Sequence, residues 1–320
     1  VEAGGQAIRI GISQCLLGER VRFDGGHKRD PFLTDTLGRF VTFVPVCPEV
    51  EVGMGIPREP VRLQGEPASP RMVGTRSGTD HTHAMESYAR RRVQELDSAG
   101  LCGYILKKNS PSCGMERVKV YGAEGRVPGR GGVGLFARAL MERYPLLPVE
   151  EEGRLNDPVL RENFIERVFA YRRWMDFLDE RYTTGRLVEF HTAHKLLLLS
   201  HSPKRYAELG RLVARAKALG AVAARTRYGT AFMEAVAERT TARKHTNVLQ
   251  HMAGYFKRDL DAASRAELTQ VIDDYRTGLV PLVVPITLIR HHARAVKESY
   301  LLGQVYLDPH PKELMLRNHV

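Results

Sequence analysis

Three of the four cysteines in this 320-residue chain stand in turns beside glycine, proline or serine. Cys15 lies in Ile12-Ser-Gln-Cys-Leu-Leu-Gly18 and Cys47 in Val44-Pro-Val-Cys-Pro-Glu49. Cys113 lies in Leu106-Lys-Lys-Asn-Ser-Pro-Ser-Cys-Gly114. Three converging thiolates have three readings: unrelated buried cysteines, structural zinc, or an iron–sulfur cluster. Turn positions fit burial in a core poorly. Structural zinc ordinarily takes four ligands with one pair closely spaced, and no C-x-x-C pair occurs. Clusters ordinarily take four cysteines. Three would leave one iron without a protein ligand, an open Lewis-acid position like that of catalytic zinc. Spacing alone leaves these readings open. So few cysteines do exclude a disulfide-stapled secreted scaffold and a multi-finger zinc protein.

For the thiols to converge, the elements before them must end on one edge. Ile8, Ile10 and Ile12 mark a first strand, Phe40–Val46 a second, Leu101–Leu106 a third and Val118–Tyr121 a short fourth. Met85, Tyr88, Ala89, Val93 and Leu96 recur at helical spacing, with Gly100 as a stop, and Leu135–Arg143 is a short helix. Strands alternating with helices predict a Rossmann-like α/β domain with a mainly parallel sheet. In such a sheet ligands bind at the carboxyl edge, where Cys15, Cys47 and Cys113 would meet. Cys102 opens the third strand at the opposite edge, about 16 Å away, and is expected in the core as a small hydrophobe.

The three cysteine segments resemble the TudS-type thiouracil desulfidases. In the second half, Glu189-Phe-His-Thr-Ala-His-Lys195, Asn247–Lys257 and Pro281-Leu-Val-Val-Pro285 resemble the YbgA-type helical domain often fused to them. The resemblance implies a 4Fe–4S cluster held by Cys15, Cys47 and Cys113. It also implies a fourth iron that binds the substrate sulfur and releases it as sulfide without net redox change. The implied substrate is a small thiolated pyrimidine nucleotide, 4-thiouridine 5′-monophosphate above all, giving uridine monophosphate and hydrogen sulfide. Replacing sulfur by oxygen at C4 is hydrolytic, so a carboxylate is needed to activate water. Glu49, two residues from Cys47, is the expected acid–base group, against a helix-start glutamate facing free amides. Ser110 is the expected second catalytic residue, against a turn-capping role. Ser112 and Lys107 are expected to bind substrate, Lys107 through the phosphate, while Ser13 shapes its loop.

The stretch Pro145–Gly153, rich in proline and glutamate, reads as the connection between an α/β domain (1–152) and an all-α domain (153–320) of six or seven helices. Asp157-Pro158 and Ser202-Pro203 are helix starts, Gly220 is a stop, and Ser264 with Glu267 reads as a capping box. Gly129-Arg-Gly-Gly-Val-Gly134 spells a G-x-G-x-x-G without dinucleotide context and reads first as a flexible turn, second as an anion cradle. His191 and His194 share a helix face. With His245, His251, His291 and His292 they are expected to bond between helices more than to hold a second metal.

Net charge is +11, with 21 basic against 17 acidic residues in 1–150 and 27 against 20 in 151–320. That spread excess suits a phosphate-bearing ligand. Nucleic acid is the less favoured partner, since only Arg225-Thr-Arg-Tyr228 hints at stacking. The rival readings are a basic nucleic-acid-binding protein with a structural metal, and a redox-sensing iron–sulfur protein. The first six residues show no basic flank or apolar core, and the longest apolar run, Gly278–Ile289, is interrupted by two prolines. A cytoplasmic protein with no membrane partner is therefore expected.

Overall fold

The strands of the computed structural model, in chain order, are β1 (Arg9–Ser13), β2 (Thr42–Val46), β3 (Val61–Gln64), β4 (Arg71–Gly74), β5 (Leu101–Leu106), β6 (Val118–Tyr121), β7 (Gly129–Gly132) and β8 (Val149–Glu151). The structure describes residues 7–122 and 129–319, so the expectation about the first six residues lies outside it. The chain divides after Asp157 into two units.

The first unit holds two sheets. One is all parallel, in the order β2-β1-β5-β8. β5 is buried along its whole length, as a central parallel strand should be. β1 lies beside β5 closely enough that a Cβ on Gly11 would stand 2.2 Å from the Tyr104 ring. Helices α1 (Pro48–Glu51), α2 (Thr82–Glu95) and α3 (Leu135–Arg143) complete the α/β arrangement. The second sheet is mixed, in the order β4-β3-β6-β7. The expected α/β domain with a mainly parallel sheet is present. Val118–Tyr121 does not belong to that sheet, however, but to the second one, whose other strands are too short and polar to signal themselves.

Two further differences have local causes. The Pro145–Gly153 stretch is not simply a connection, because Val149–Glu151 is the fourth strand of the parallel sheet. Its glutamates Glu150, Glu151 and Glu152 are all buried. Each has a partner: Arg154 Nε at 2.6 Å from Glu150, the Met115 N–H at 2.8 Å from Glu151, and Lys107 Nζ at 2.5 Å from Glu152. The glycine run 129–134 is not a flexible turn. It supplies β7 and then the start of α3.

The second unit is helical: α4 (Pro158–Asp179), α5 (Thr184–His201), α6 (Pro203–Ala214), α7 (Ala216–Leu219), α8 (Ala221–Ala237), α9 (Ala242–Ala253), α10 (Ala262–Arg276), α11 (Val283–Ala295) and α12 (Ser299–Leu302). Seven of these exceed two turns, as expected for an all-α domain. Ser202 caps α6 by accepting from the Arg205 N–H. The capping box placed at Ser264 is corrected by one turn. Asp261 caps α10, its carboxylate accepting from the Ser264 N–H at 2.7 Å. Asp261 has the extended backbone that a cap requires, and Ser264 lies inside the helix. No helix among the described residues is long and apolar enough to cross a membrane.

Candidate active site

The parallel sheet carries three of its strand ends to one place. β1 ends at Ser13 and turns at once into a short 3-10 segment holding Cys15. β2 ends at Val46, and Cys47 caps the single turn of α1 with Pro48 at its first position. β5 ends at Leu106 and leads into the loop that carries Cys113. Chain order reverses about β1, with β2 on one side and β5 on the other. This is the switch point at which such sheets open a crevice. There a cavity of about 410 Å³ is walled by Cys15, Cys47 and Cys113 together with Glu49, Arg58, Lys107 and Ser110. Cys102 lies in β5, is 1% exposed, and forms no part of that wall.

The thiols are more enclosed than turn positions suggest: Cys15 is 9% and Cys113 6% exposed. The loops fold inward over the sheet end, and the Lys28 N–H, for example, reaches back to the Cys15 carbonyl at 2.8 Å. Burial pushes the Cys15 thiol up to about 11, against the pull of the Lys107 ammonium. Burial also raises Cys47 and, more strongly, Cys113, whose thiolate the Ser13 hydroxyl partly stabilises. Such thiols ionise only against a strong cation, which is what a metal centre supplies. Among the described residues no three His, Cys, Asp or Glu side chains stand close enough to surround one metal ion. A cubane cluster does not ask for that, because each cysteine binds a different iron and the sulfurs stand a cluster's width apart. The donor set, three soft thiols with no fourth cysteine at hand, therefore fits a cluster better than a single ion.

Glu49 is fixed from both sides. Arg58 donates from Nε at 3.0 Å and Nη2 at 2.6 Å to its Oε2, and the Ser112 hydroxyl donates to Oε1 at 2.8 Å. The pair is largely shielded, with side chains 6% exposed for Arg58 and 15% for Glu49. Ser112 itself is fully buried and stands behind the carboxylate, outside the cavity wall. Ser110 does face the cavity. Its oxygen accepts from the Ser112 and Cys113 amides at 3.2 and 3.1 Å, which leaves its proton free to donate outward. Lys107 also faces the cavity, but its ammonium is held by Glu152. Ser13 accepts from the Lys107 N–H at 2.9 Å, tying the β1 and β5 ends together.

Residues 10–152 match the model of the 2-thiouracil desulfurase family, and residues 195–311 match DUF1722, a family of unknown function. The uncharacterized protein YbgA of Escherichia coli (strain K12) is 31% identical over 153 residues, spanning 48% of this chain and 90% of that protein. The chain joins a 2-thiouracil desulfurase domain to a YbgA-family domain. The uncharacterized protein YbbK of Bacillus subtilis (strain 168) is 28% identical over 151 residues, 46% of this chain and 97% of that protein. Among solved structures, the 4Fe–4S-dependent thiouracil desulfidase TudS is 34% identical, covering 47% of this chain and 94% of that one, with a TM-score of 0.38.

The desulfurase domain also contains site residues that no motif announced. Arg58 lies between β2 and β3 without flanking pattern, and only its distance from Glu49 in space reveals it. Gly134 is a second case. A Cβ there would stand 2.4 Å from the Ser112 carbonyl oxygen. The N–H groups of Leu135, Phe136 and Ala137 at the start of α3 donate to the carbonyls of Pro111 and Ser112. The amides considered as an anion cradle are thus occupied by the loop of Cys113, and the last glycine of the run lets that loop approach. In the YbgA-family domain, His191 meets the Tyr228 hydroxyl at 3.1 Å, a bond between helices of the kind expected, whereas His194 meets the Phe190 carbonyl of its own helix at 2.7 Å. His201, not singled out in the sequence, meets Glu166 at 2.9 Å. Burial holds His191 down at about 4 and His194 at about 3, both neutral.

Proposed function

We propose that the desulfurase domain removes sulfur from a thiolated pyrimidine nucleotide, with 4-thiouridine 5′-monophosphate as the substrate of choice and hydrogen sulfide and uridine monophosphate as products. Cys15, Cys47 and Cys113 would hold a 4Fe–4S cluster in the 410 Å³ cavity. One observation carries this reading. Three of the four cysteines wall one cavity beside a fixed carboxylate, and the fourth is buried elsewhere. A cluster bound there supplies one iron without a protein ligand, a Lewis acid for the departing sulfur.

The remaining chemistry belongs to the chain. Water adds at C4, its oxygen becomes the carbonyl oxygen, and its two protons leave with the sulfur as hydrogen sulfide, so no electrons are exchanged. Glu49 takes the first proton. Arg58 and Ser112 hold it at a fixed angle to the cavity, which removes the cost of reorientation during reaction. Ser112 acts as a positioning residue. The outward hydroxyl of Ser110 donates to the pyrimidine ring or to the water. Lys107, paired with Glu152, lends a partly neutralised positive charge to an anionic substrate rather than a free one.

The test is to purify the protein without oxygen, measure iron and sulfide per chain, and add 4-thiouridine 5′-monophosphate. Brown protein with about four iron and four sulfide, and loss of the thione absorbance with sulfide release, are expected. Colourless, zinc-loaded protein would defeat the cluster. Brown protein that leaves the thione untouched would defeat the substrate.

A further inference from the structure

The YbgA-family domain encloses a second cavity, of about 360 Å³, between the start of α4, the start of α9 and the turn that follows α10. Its wall includes two polar side chains that are more than nine-tenths buried, Glu162 and His245. Buried polar groups are normally satisfied within the protein, and these are satisfied only on their far sides. Glu162 Oε1 accepts from Arg317 Nε at 3.1 Å, while Oε2 has His319 Nε2 no nearer than 3.7 Å. His245 Nδ1 meets the Tyr306 hydroxyl at 2.8 Å. Tyr306 is fully buried, and His245 is the partner of its hydroxyl among the described residues. That hydroxyl must therefore donate to Nδ1, which places the proton of the neutral imidazole on Nε2. Burial keeps the ring neutral, holding it down at about 3. Tyr275 adds a hydroxyl without a protein partner among the described residues, and Val280 and Leu282 supply apolar walls.

At its buried end the cavity thus offers the Glu162 carboxylate and the His245 Nε2–H, with the Tyr275 hydroxyl beside them. Thr240, Thr241 and His319 add polar groups nearer its mouth, and the one guanidinium of the wall, Arg276, is held by Asp273 at 2.7 Å. We infer that it binds a flat, uncharged heterocycle carrying an N–H beside a C=O, the edge of a pyrimidine base. The N–H would donate to Glu162 and the C=O would accept from His245 Nε2–H. An anion would meet the Glu162 carboxylate. A cation would compete with Arg317, which already faces it. The volume lies in the range of small-molecule sites, which are mostly apolar with a few placed polar groups. This inference stands on the YbgA-family domain alone and does not depend on the desulfidase reading.

The test uses calorimetry on the whole chain with uridine, which has a single N–H on its base, and with 3-methyluridine, which has none. Saturable uridine binding is expected, weaker by about tenfold for 3-methyluridine, because one hydrogen bond is lost and a buried acceptor is left unpaired. Tyr275→Phe keeps the ring and drops the hydroxyl, and should weaken binding several-fold. His245→Ala should remove it, and Cys47→Ser should leave it intact. Equal binding of the two nucleosides, preference for the organic cation agmatine, or no uridine binding at all would overturn the inference. So would binding that is lost in Cys47→Ser and kept in His245→Ala, since that would place the ligand in the first cavity.

Discussion

Replacing Ser112 by alanine removes one hydroxyl and tests whether the carboxylate of Glu49 must be held. The hydroxyl is fully buried and donates at 2.8 Å to Glu49 Oε1. A hydrogen bond to a charged group contributes about 1.5–3 kcal/mol. Arg58 continues to hold Oε2, so the carboxylate loses its orientation rather than its place. At 1.36 kcal/mol per decade of rate, turnover of 4-thiouridine monophosphate should fall by about ten- to a hundred-fold. KM should barely move, because Ser112 is outside the cavity wall. The assay is steady-state thione loss on anaerobically prepared protein, with iron measured on the same samples. Full iron with reduced kcat supports the reasoning, and Ser112→Thr, which keeps the hydroxyl, should recover part of the rate. Unchanged kcat would refute the need to hold Glu49. Loss of iron in Ser112→Ala would show instead that Ser112 serves the Cys113 loop.

Three other outcomes follow from neighbouring contacts. Cys102→Ala should keep full iron, since Cys102 is buried in β5 away from the cavity, whereas Cys113→Ala should lose it; iron analysis of both variants decides. Gly134→Val should lower both cluster content and stability, by about 1–3 kcal/mol for overpacking, because the new side chain meets the Ser112 backbone; normal iron content would remove Gly134 from the site. Arg317→Met leaves Glu162 and Glu166 buried without their guanidinium and should cost about 3–5 kcal/mol, read by urea titration of the single tryptophan, Trp174. Glu166 is held well below its ordinary value by His201 and Arg317, which outweigh its burial. A depressed carboxylate contributes stability that is fully present above its unfolded value and is lost as pH falls below it. The gap between wild type and variant should therefore hold from neutral pH to about 4.5, the ordinary glutamate value, and narrow below it. A gap that widens on acidification would contradict that assignment.

Local pattern made the three cysteine turns legible, because each follows an apolar, β-branched or aromatic run that reads as a strand. The same logic separated Cys102, since a residue at the start of β5 cannot reach the far edge of its sheet. Partners distant in sequence left no such trace. Arg58 carries no pattern of its own, and nothing in the sequence marks the glutamates at 150–152 as buried until Arg154, the Met115 amide and Lys107 are seen to meet them. The glycine run misled for a related reason. Its composition suits a loose turn, while its actual constraint is the approach of the Ser112 carbonyl to the start of α3.

Two glutamates, Glu49 and Glu152, set the charge balance around the cavity. Lys107 and Arg58 face the site, and each arrives already paired, with Glu152 and Glu49. Unpaired, either cation would have to be desolvated beside the thiols at several kcal/mol, or would neutralise a thiolate directly. Paired, they pull only weakly on the thiols, and burial outweighs Lys107 and Arg22 at Cys15 and Arg58 at Cys47, so all three thiols stay raised. Lys107, the expected phosphate anchor, thus lines the cavity with its ammonium already paired to Glu152.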